Sequence, residues 1–191
     1  MRDVLIIGGG VAGLQAGVFT AKAGLDTLVL DSGSPLVHST DKIQNLLTEE
    51  RIGGEEIIET GRGRVQAFDG DIEEATVTRL VRESTPGPLS VTTESGESHT
   101  GEAVIIATAN EFDLLAPLSD EIEYTDGPEG KFTMEKHIQT DDSNRATDNV
   151  YVAGLANTWE YQTAVAIGDG AKAAVNLISD RREETHIDHD W

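Results

Sequence analysis

The sequence predicts an α/β fold, with a central parallel sheet and a smaller antiparallel sheet drawn from residues near 76–106. Three observations predict it. Apolar runs short enough for buried strands occur at 3–7, 26–30, 102–107 and 149–153. Segments with apolar residues at helical spacing lie at 11–23, 54–68 and 160–178. A middle stretch, 72–81 and 89–93, leans to strand-forming residues on either side of a Thr85-Pro86-Gly87-Pro88 turn.

Asp3–Ile7 is the first strand. Gly8-Gly9-Gly10 turns the chain, and Val11–Ala23 follows as a helix with Val11, Leu14, Val18 and Ala21 at helical intervals. Gly24 stops that helix, because a left-handed closing residue is most easily a glycine. Asp26–Leu30 is the second strand, ended by Asp31-Ser32-Gly33-Ser34-Pro35. Strand, helix and strand within about 30 residues make one β-α-β crossover. Residues 36–52 are polar and irregular. Gly54–Phe68 reads as a helix despite Gly61 and Gly63, each of which costs about 1 kcal/mol relative to alanine. Ile72–Val81, Leu89–Thr93 and Glu102–Ala107 are further strands, with Thr76-Val77-Thr78 favouring extended backbone. The acidic stretch 111–130 is punctuated by proline and glycine and is expected to be a loop. Phe132–Ile138 and Asn149–Ala153 return to strand. Glu160–Ile178 is a long helix with Ala164, Ile167, Ala171, Ala174 and Ile178 along one side, and Ser179–Trp191 is a polar tail expected to be mobile. One domain, 1–178, and that tail account for the 191 residues.

Composition limits what such a fold does. The formal net charge is −21, from 35 acidic and 14 basic residues. Such a chain repels nucleic acid and anionic membranes, so neither is an expected partner. The acids are spread along the whole sequence, which fits a surface adapted to high salt better than a docking face for a basic partner. No apolar stretch approaches the roughly 20 residues of a transmembrane helix. Glycines interrupt any signal-peptide core near residue 10. A soluble, cytoplasmic protein is the expectation. There is no cysteine, which excludes disulfides, thiolate metal ligands and a redox-active thiol pair on this chain.

Gly8, Gly10 and Gly13 form G-x-G-x-x-G between a strand and a helix, the context in which that pattern carries a mechanism. Gly8 permits a sharp exit from the strand, Gly10 lets a diphosphate approach the backbone, and Gly13 lets the helix lie close to the sheet. The unpaired N–H groups of the first helical turn then favour negative charge. Asp31, closing the second strand, is placed to accept hydrogen bonds from adenosine ribose hydroxyls and would repel the 2′-phosphate of NADP. The expected ligand is a dinucleotide, FAD or NAD, and this motif does not separate the two. The C-terminal third leans to FAD. Strand Val150–Ala153 runs into Gly154, and the helix beginning near Glu160 opens with Gln162-Thr163-Ala164. A second helix N-terminus would stabilise the charge that collects on a flavin pyrimidine ring on reduction.

The order of these pieces resembles the FAD domain of the thioredoxin reductase-like pyridine nucleotide–disulfide oxidoreductases, over residues 1–178. IIGGGVAGLQAGVFTAKAGLDTLVLD is similar to that family's FAD fingerprint, and IQNLL followed by IGGEEIIETGRGRVQAF resembles its asparagine-containing loop and next helix. EAVIIATAN resembles its strand ending in Ala-Thr-Gly, and FTMEKHIQTDDSNRATDNVYVAG the segment that re-enters the FAD domain. The resemblance implies FAD as cofactor and an oxidoreductase. It places Gly9, Gly10, Val11 and Ala12 along the pyrophosphate, Asp31 at the ribose, and the backbone of Val77 at the adenine. It places Ala107, Thr108 and Ala109 beside the cofactor, Asn45 near the flavin, and Gly154, Leu155, Gln162, Thr163 and Ala164 around the ribityl chain and ring.

The sequence also departs from that pattern. Residues 111–130 form a short loop where the family inserts its NADPH domain, and no second G-x-G-x-x-G occurs there. The family's Cys-x-x-Cys is missing, so the chain is not expected to be a thioredoxin reductase itself. Ala109 replaces a usual glycine. Leu155 replaces an aspartate that hydrogen-bonds the ribityl chain, a loss of about 0.5–1.5 kcal/mol unless Asn157 substitutes. The expectation is a minimal FAD flavoprotein with one open flavin face, exchanging electrons with a small molecule or a partner protein, and forming a homodimer. The alternative is a non-catalytic FAD module serving flavin storage, redox sensing or structure. His38 and His137 are candidate proton donors or plain surface residues. Trp159 and Tyr161 either stack on the ring or pack against protein. His186 and His189, with Asp188 and Asp190, offer metal-ligand types on a tail that no rigid element fixes, so no metal is expected.

Overall fold

The computed structural model describes residues 1–84, 87–127 and 135–188. In chain order the elements are β1 (Arg2–Ile7), α1 (Val11–Lys22), β2 (Thr27–Asp31), α2 (Gly54–Ala67), β3 (Asp71–Glu74), β4 (Val77–Arg82), β5 (Leu89–Thr93), β6 (Ser98–Ile106), β7 (Tyr124–Asp126), β8 (Lys136–Ile138), β9 (Arg145–Thr147), β10 (Val150–Val152) and α3 (Thr163–Arg182). Short 3-10 turns lie at Leu36–Ser39, Asp113–Leu118 and Gly154–Ala156. The main sheet runs β3-β2-β1-β6-β10-β9 and is parallel except for the edge strand β9. β5 and then β4 continue from β6 as an antiparallel meander.

Period-two alternation inside the strands sorts the core into two faces. Val4, Ile6, Val29, Ala103 and Ile105 meet Leu14 and Ala16 of α1, Ile58 and Val65 of α2, and Ala173, Ala174 and Leu177 of α3. Leu5, Ile7, Leu28, Leu30, Val104 and Ile106 point the other way, onto Leu80, Leu89 and Val91 of the meander. The sheet is covered on both faces, which is why its strands read as unbroken apolar runs.

The chain departs from the sequence reading where long-range pairing decides. Ile72–Val81 is not one strand. Ala75 N donates to Asp31 O at 2.9 Å while Thr76 O accepts from Glu94 N at 2.8 Å, so adjacent residues bond to different stretches of chain, one beside β2 and one beside β5, and the run splits into β3 and β4. β6 begins earlier than expected because its polar first half pairs with β5, Thr100 lying opposite Ser90. The expected loop over 111–130 is folded in its described part. The Asp113–Leu118 turn buries Leu114, Leu115 and Leu118, with Phe112 and Ile122 in the same cluster. Pro117 lacks the donor that an α-helix would need there. β7 then pairs with β8, and β9 is a strand the sequence did not suggest.

α3 starts at Thr163 and runs past the expected end to Arg182, burying Gly170, Ala173, Ala174, Leu177 and Ile178, while Ala164 is exposed. Tyr151 Oη donates to Asp180 near the end of α3 at 2.5 Å; burial, then that carboxylate, pushes the tyrosine hydroxyl well above its usual range. The described part of the tail is tied to the body rather than free. Lys22 Nζ meets Asp188 at 3.0 Å, and His186 N donates to Ser179 Oγ at 2.9 Å. Thr85 and Pro86 of the expected turn, residues 128–130 of the expected loop, 132–134 of the expected strand, and His189, Asp190 and Trp191 lie outside the described residues. No described helix is long and apolar enough to cross a membrane.

α1 and α3 pack so closely that a Cβ on Gly170 would lie 2.2 Å from Ala12 O. Gly170→Ala should therefore destabilise the chain by about 1–3 kcal/mol, outweighing its gain in helix propensity. Thermal unfolding should show a melting temperature lower by about 3–10 °C. An unchanged value would mean that the two helices are not seated as described.

Candidate cofactor site

The C-terminal ends of four parallel strands come level, since Ile7 lies opposite both Leu30 and Ile106, and Ile106 opposite Val152. Beyond those ends opens a cavity of about 710 Å³, within the ~300–1,000 Å³ usual for small-molecule and cofactor sites. This is where open α/β sheets bind ligands. Gly8, Gly9, Gly10, Val11, Ala12, Asp31, Asn45, Val77, Ala107, Thr108, Ala109, Gly154, Leu155, Gln162 and Thr163 all line it. Two residues expected there do not. Gly13 is buried beneath the turn, and Ala164 is exposed on α3.

One end of the cavity is built by the first β-α-β unit. Gly8 sits at φ +109°, where a Cβ would lie 2.4 Å from Ala107 O. A Cβ on Gly13 would lie 1.9 Å from Gly8 O, so α1 starts hard against the turn. Gly10 differs. Its backbone is extended, and a Cβ there would meet no protein atom within 4 Å. No side chain caps α1, its first turn carries no acid, and Leu14 N is bonded to Gly10 O at 2.9 Å. The N–H groups ahead of Leu14 have no partner within the helix. The Asp31 carboxylate is buried, accepting from Gly33 N at 3.0 Å and pairing with Arg62 of α2. Sequence reasoning missed Arg62, because nothing in the pattern of α2 marks it until that helix packs beside α1.

The other end is assembled from distant segments. Gln162 is the N-cap of α3, again without a side-chain cap, and its Oε1 accepts from Asn45 Nδ2 at 2.8 Å. Gly154 turns at φ +68°, and its N–H donates to Asp169 Oδ2 at 2.7 Å. Asn157 does not replace the missing ribityl partner. Its amide donates to Asp169 at 3.0 and 3.1 Å, its oxygen accepts from Thr140 Oγ1 at 2.7 Å, and it does not line the cavity. Leu155 does line it. Ala109 holds φ +57°, a left-handed conformation that explains why a glycine would be usual there.

Neither His38 nor His137 lines the cavity. Trp159 and Tyr161 are 46% and 47% exposed, so neither is packed into the core, and only Tyr161 faces the cavity. Lys42, Glu111, Thr158 and Glu160 are lining residues that the sequence did not single out. Lys42 is the one cation among the described lining residues. Of the tail residues with metal-ligand types, Asp188 is paired with Lys22, and His186 lies 3.1 Å from Arg182.

Residues 3–44 match the FAD_binding_2 family, described as the FAD binding domain, which spans β1, α1, β2 and the loop as far as Gln44. This chain carries an FAD-binding domain. Its fold is also that of a thioredoxin reductase from Gloeobacter violaceus, with a TM-score of 0.80 and 18% identity over 100% of this chain and 98% of that one. A component of the alkyl hydroperoxide reductase of Staphylococcus aureus is 35% identical over 108 residues, which is 56% of this chain and 21% of that protein. Thioredoxin reductase of Streptomyces clavuligerus is 29% identical over 115 residues, 58% of this chain and 35% of that protein. The FAD-binding domain therefore spans only part of the curated relatives' length. The similarities give no support to the expectation of a salt-adapted surface.

Two substitutions probe the FAD-binding domain. Ala109→Gly relieves a left-handed alanine and should raise stability by about 0.5–1 kcal/mol, read as a melting temperature higher by roughly 1–4 °C. Gly10→Val places a side chain in open space, so unfolding should change by no more than about 1 kcal/mol. FAD binding, followed by calorimetry, should weaken by about 100-fold or more as the helix end is blocked.

Proposed function

We propose that this chain is a minimal FAD oxidoreductase of the thioredoxin reductase type, exchanging electrons with a donor and an acceptor outside the chain. The observation that carries the reading is a single cavity holding two uncapped helix starts, α1 beside Asp31 at one end and α3 beside the Asn45–Gln162 pair at the other. The open space at Gly10 suits a diphosphate. The N–H groups of Gly9, Gly10, Val11 and Ala12 would hold it, Asp31 would accept the ribose hydroxyls while keeping Arg62, and the Val77 backbone would meet the adenine. Asn45, Gly154, Gln162 and Thr163 would hold the flavin end. When bound, FAD supplies a ring that takes up or releases two electrons. The start of α3 favours negative charge beside that ring.

The chain has no cysteine, so its own thiols carry no electrons. Where the resemblance implies a second nucleotide domain, residues 113–118 instead form a turn packed into the core beside the meander. Electrons would pass directly between the ring and an outside molecule. A small molecule, a redox partner protein or a second copy of this chain would approach past exposed Leu36 and Tyr161. A non-catalytic FAD module is the second reading. It is favoured by Leu155 at the ribityl position and by the lack of histidine among the described lining residues.

FAD at a hundredfold excess over its Kd should add about 2.7 kcal/mol of stability and raise the melting temperature by roughly 5–11 °C. Anaerobic addition of NADH, NADPH or a dithiol should then bleach the visible flavin absorption. Stabilisation without bleaching by any of them would leave the non-catalytic reading. A colourless protein that FAD does not stabilise would overturn both.

A further inference from the structure

We propose that Asp169 is the positioning residue of the flavin end, fixing the turn that replaces a direct carboxylate contact; the proposal rests on the FAD reading above. Asp169 lies on α3 and does not line the cavity. Its carboxylate accepts from Gly154 N at 2.7 Å, from Asn157 Nδ2 at 3.0 and 3.1 Å, and from Asn144 Nδ2 at 2.7 Å. Every donor is a neutral amide, and no lysine or arginine pairs with it among the described residues. Hydrogen bonds to an ionised acceptor are about twice as strong as neutral ones.

The three partners come from two stretches of chain, Asn144 before β10 and the turn of Gly154 and Asn157 after it. Asn144 is itself bound to the last strand of the sheet, since Val152 N donates to Asn144 O at 2.8 Å and Asn144 Nδ2 to Val152 O at 3.1 Å. Gly154 forms the cavity wall, and its carbonyl accepts from Asn157 N and Thr158 N at 2.9 and 3.0 Å. One carboxylate thus joins the end of β10, the turn that follows it, and the helix whose first residues face the flavin end. Both Asn144 and Gly154 hold left-handed backbone, at φ +60° and +68°. Such conformations persist where the surroundings over-determine them.

Leu155 offers no polar atom on its side chain, so the turn can meet a ribityl chain only through backbone groups and Thr158. Their direction is set by where Asp169 holds the Gly154 amide. None of the hydrogen bonds of this carboxylate reaches Gly8–Gly13 or Asp31, the residues of the proposed adenosine end. Asp169 should therefore separate the two halves of one ligand.

The test titrates full-length wild type, Asp169→Ala and Asp169→Asn with FAD and, separately, with ADP. In both variants FAD binding should weaken by about tenfold or more while ADP binding stays within about twofold. The visible bands of bound FAD should shift as the ring loses its fixed seat. Asn157→Ala removes part of the same network with less disturbance and should show the same selectivity at smaller size. Equal losses for FAD and ADP in the Asn157 variant would make Asp169 a merely structural residue and overturn the proposal. So would unchanged FAD affinity and spectrum in all variants. Failure of the wild type to bind either nucleotide would overturn the cofactor reading itself, and this proposal with it.

Discussion

The seat of α1 is the constraint on which the site depends. Its first turn lies against Gly8 O, where even a methyl group at Gly13 would not fit, and its opposite flank lies against α3, where none would fit at Gly170. Held from both sides, the helix aims an uncapped N-terminus at the level ends of four strands. A helix start so placed brings donors and a favourable dipole to one point without any charged side chain. In a chain of net charge −21 that matters, because few cations are at hand to receive a diphosphate.

The two ends of the cavity are built in different ways. The end beside α1 is built mainly by the contiguous β1-α1-β2 stretch, with its short-range turns and one buried carboxylate. The end beside α3 joins Asn45 to Gln162 and Asn144 to Asp169, partners drawn together only by the finished sheet. Its geometry therefore depends on the whole domain being folded, and a local opening there need not disturb the other end.

Three residues give this FAD-binding domain its own character. Arg62 pairs with Asp31, so a buried carboxylate is not left uncompensated, which would be costly. Ala109 accepts a left-handed backbone that a glycine would adopt without strain. Leu155 presents an apolar surface where the related pattern has a carboxylate, and Asp169, bound to the Gly154 amide, stands behind the turn rather than in the cavity.

How much of this was legible beforehand follows the range of the interactions. The β1-α1-β2 unit, its glycines and Asp31 could be read directly, because strand runs, helical spacing and turn chemistry act over a few residues and leave a local pattern. The burial of the parallel strands was legible for the same reason. The resemblance added Asn45, which does line the cavity, as do Gly154 and Gln162, read from the strand-loop-helix pattern. The split of residues 72–81, the packing of Leu114, Leu115 and Leu118 into the core, the Arg62–Asp31 pair and the turn of Asn157 away from the cavity were not legible. Each depends on which distant surface a residue meets. The sequence by itself determined the period of each element and the chemistry of its first turn; only the tertiary structure decided which partners satisfy the polar groups, because a hydrogen bond has no sequence signature until both of its ends have been brought together.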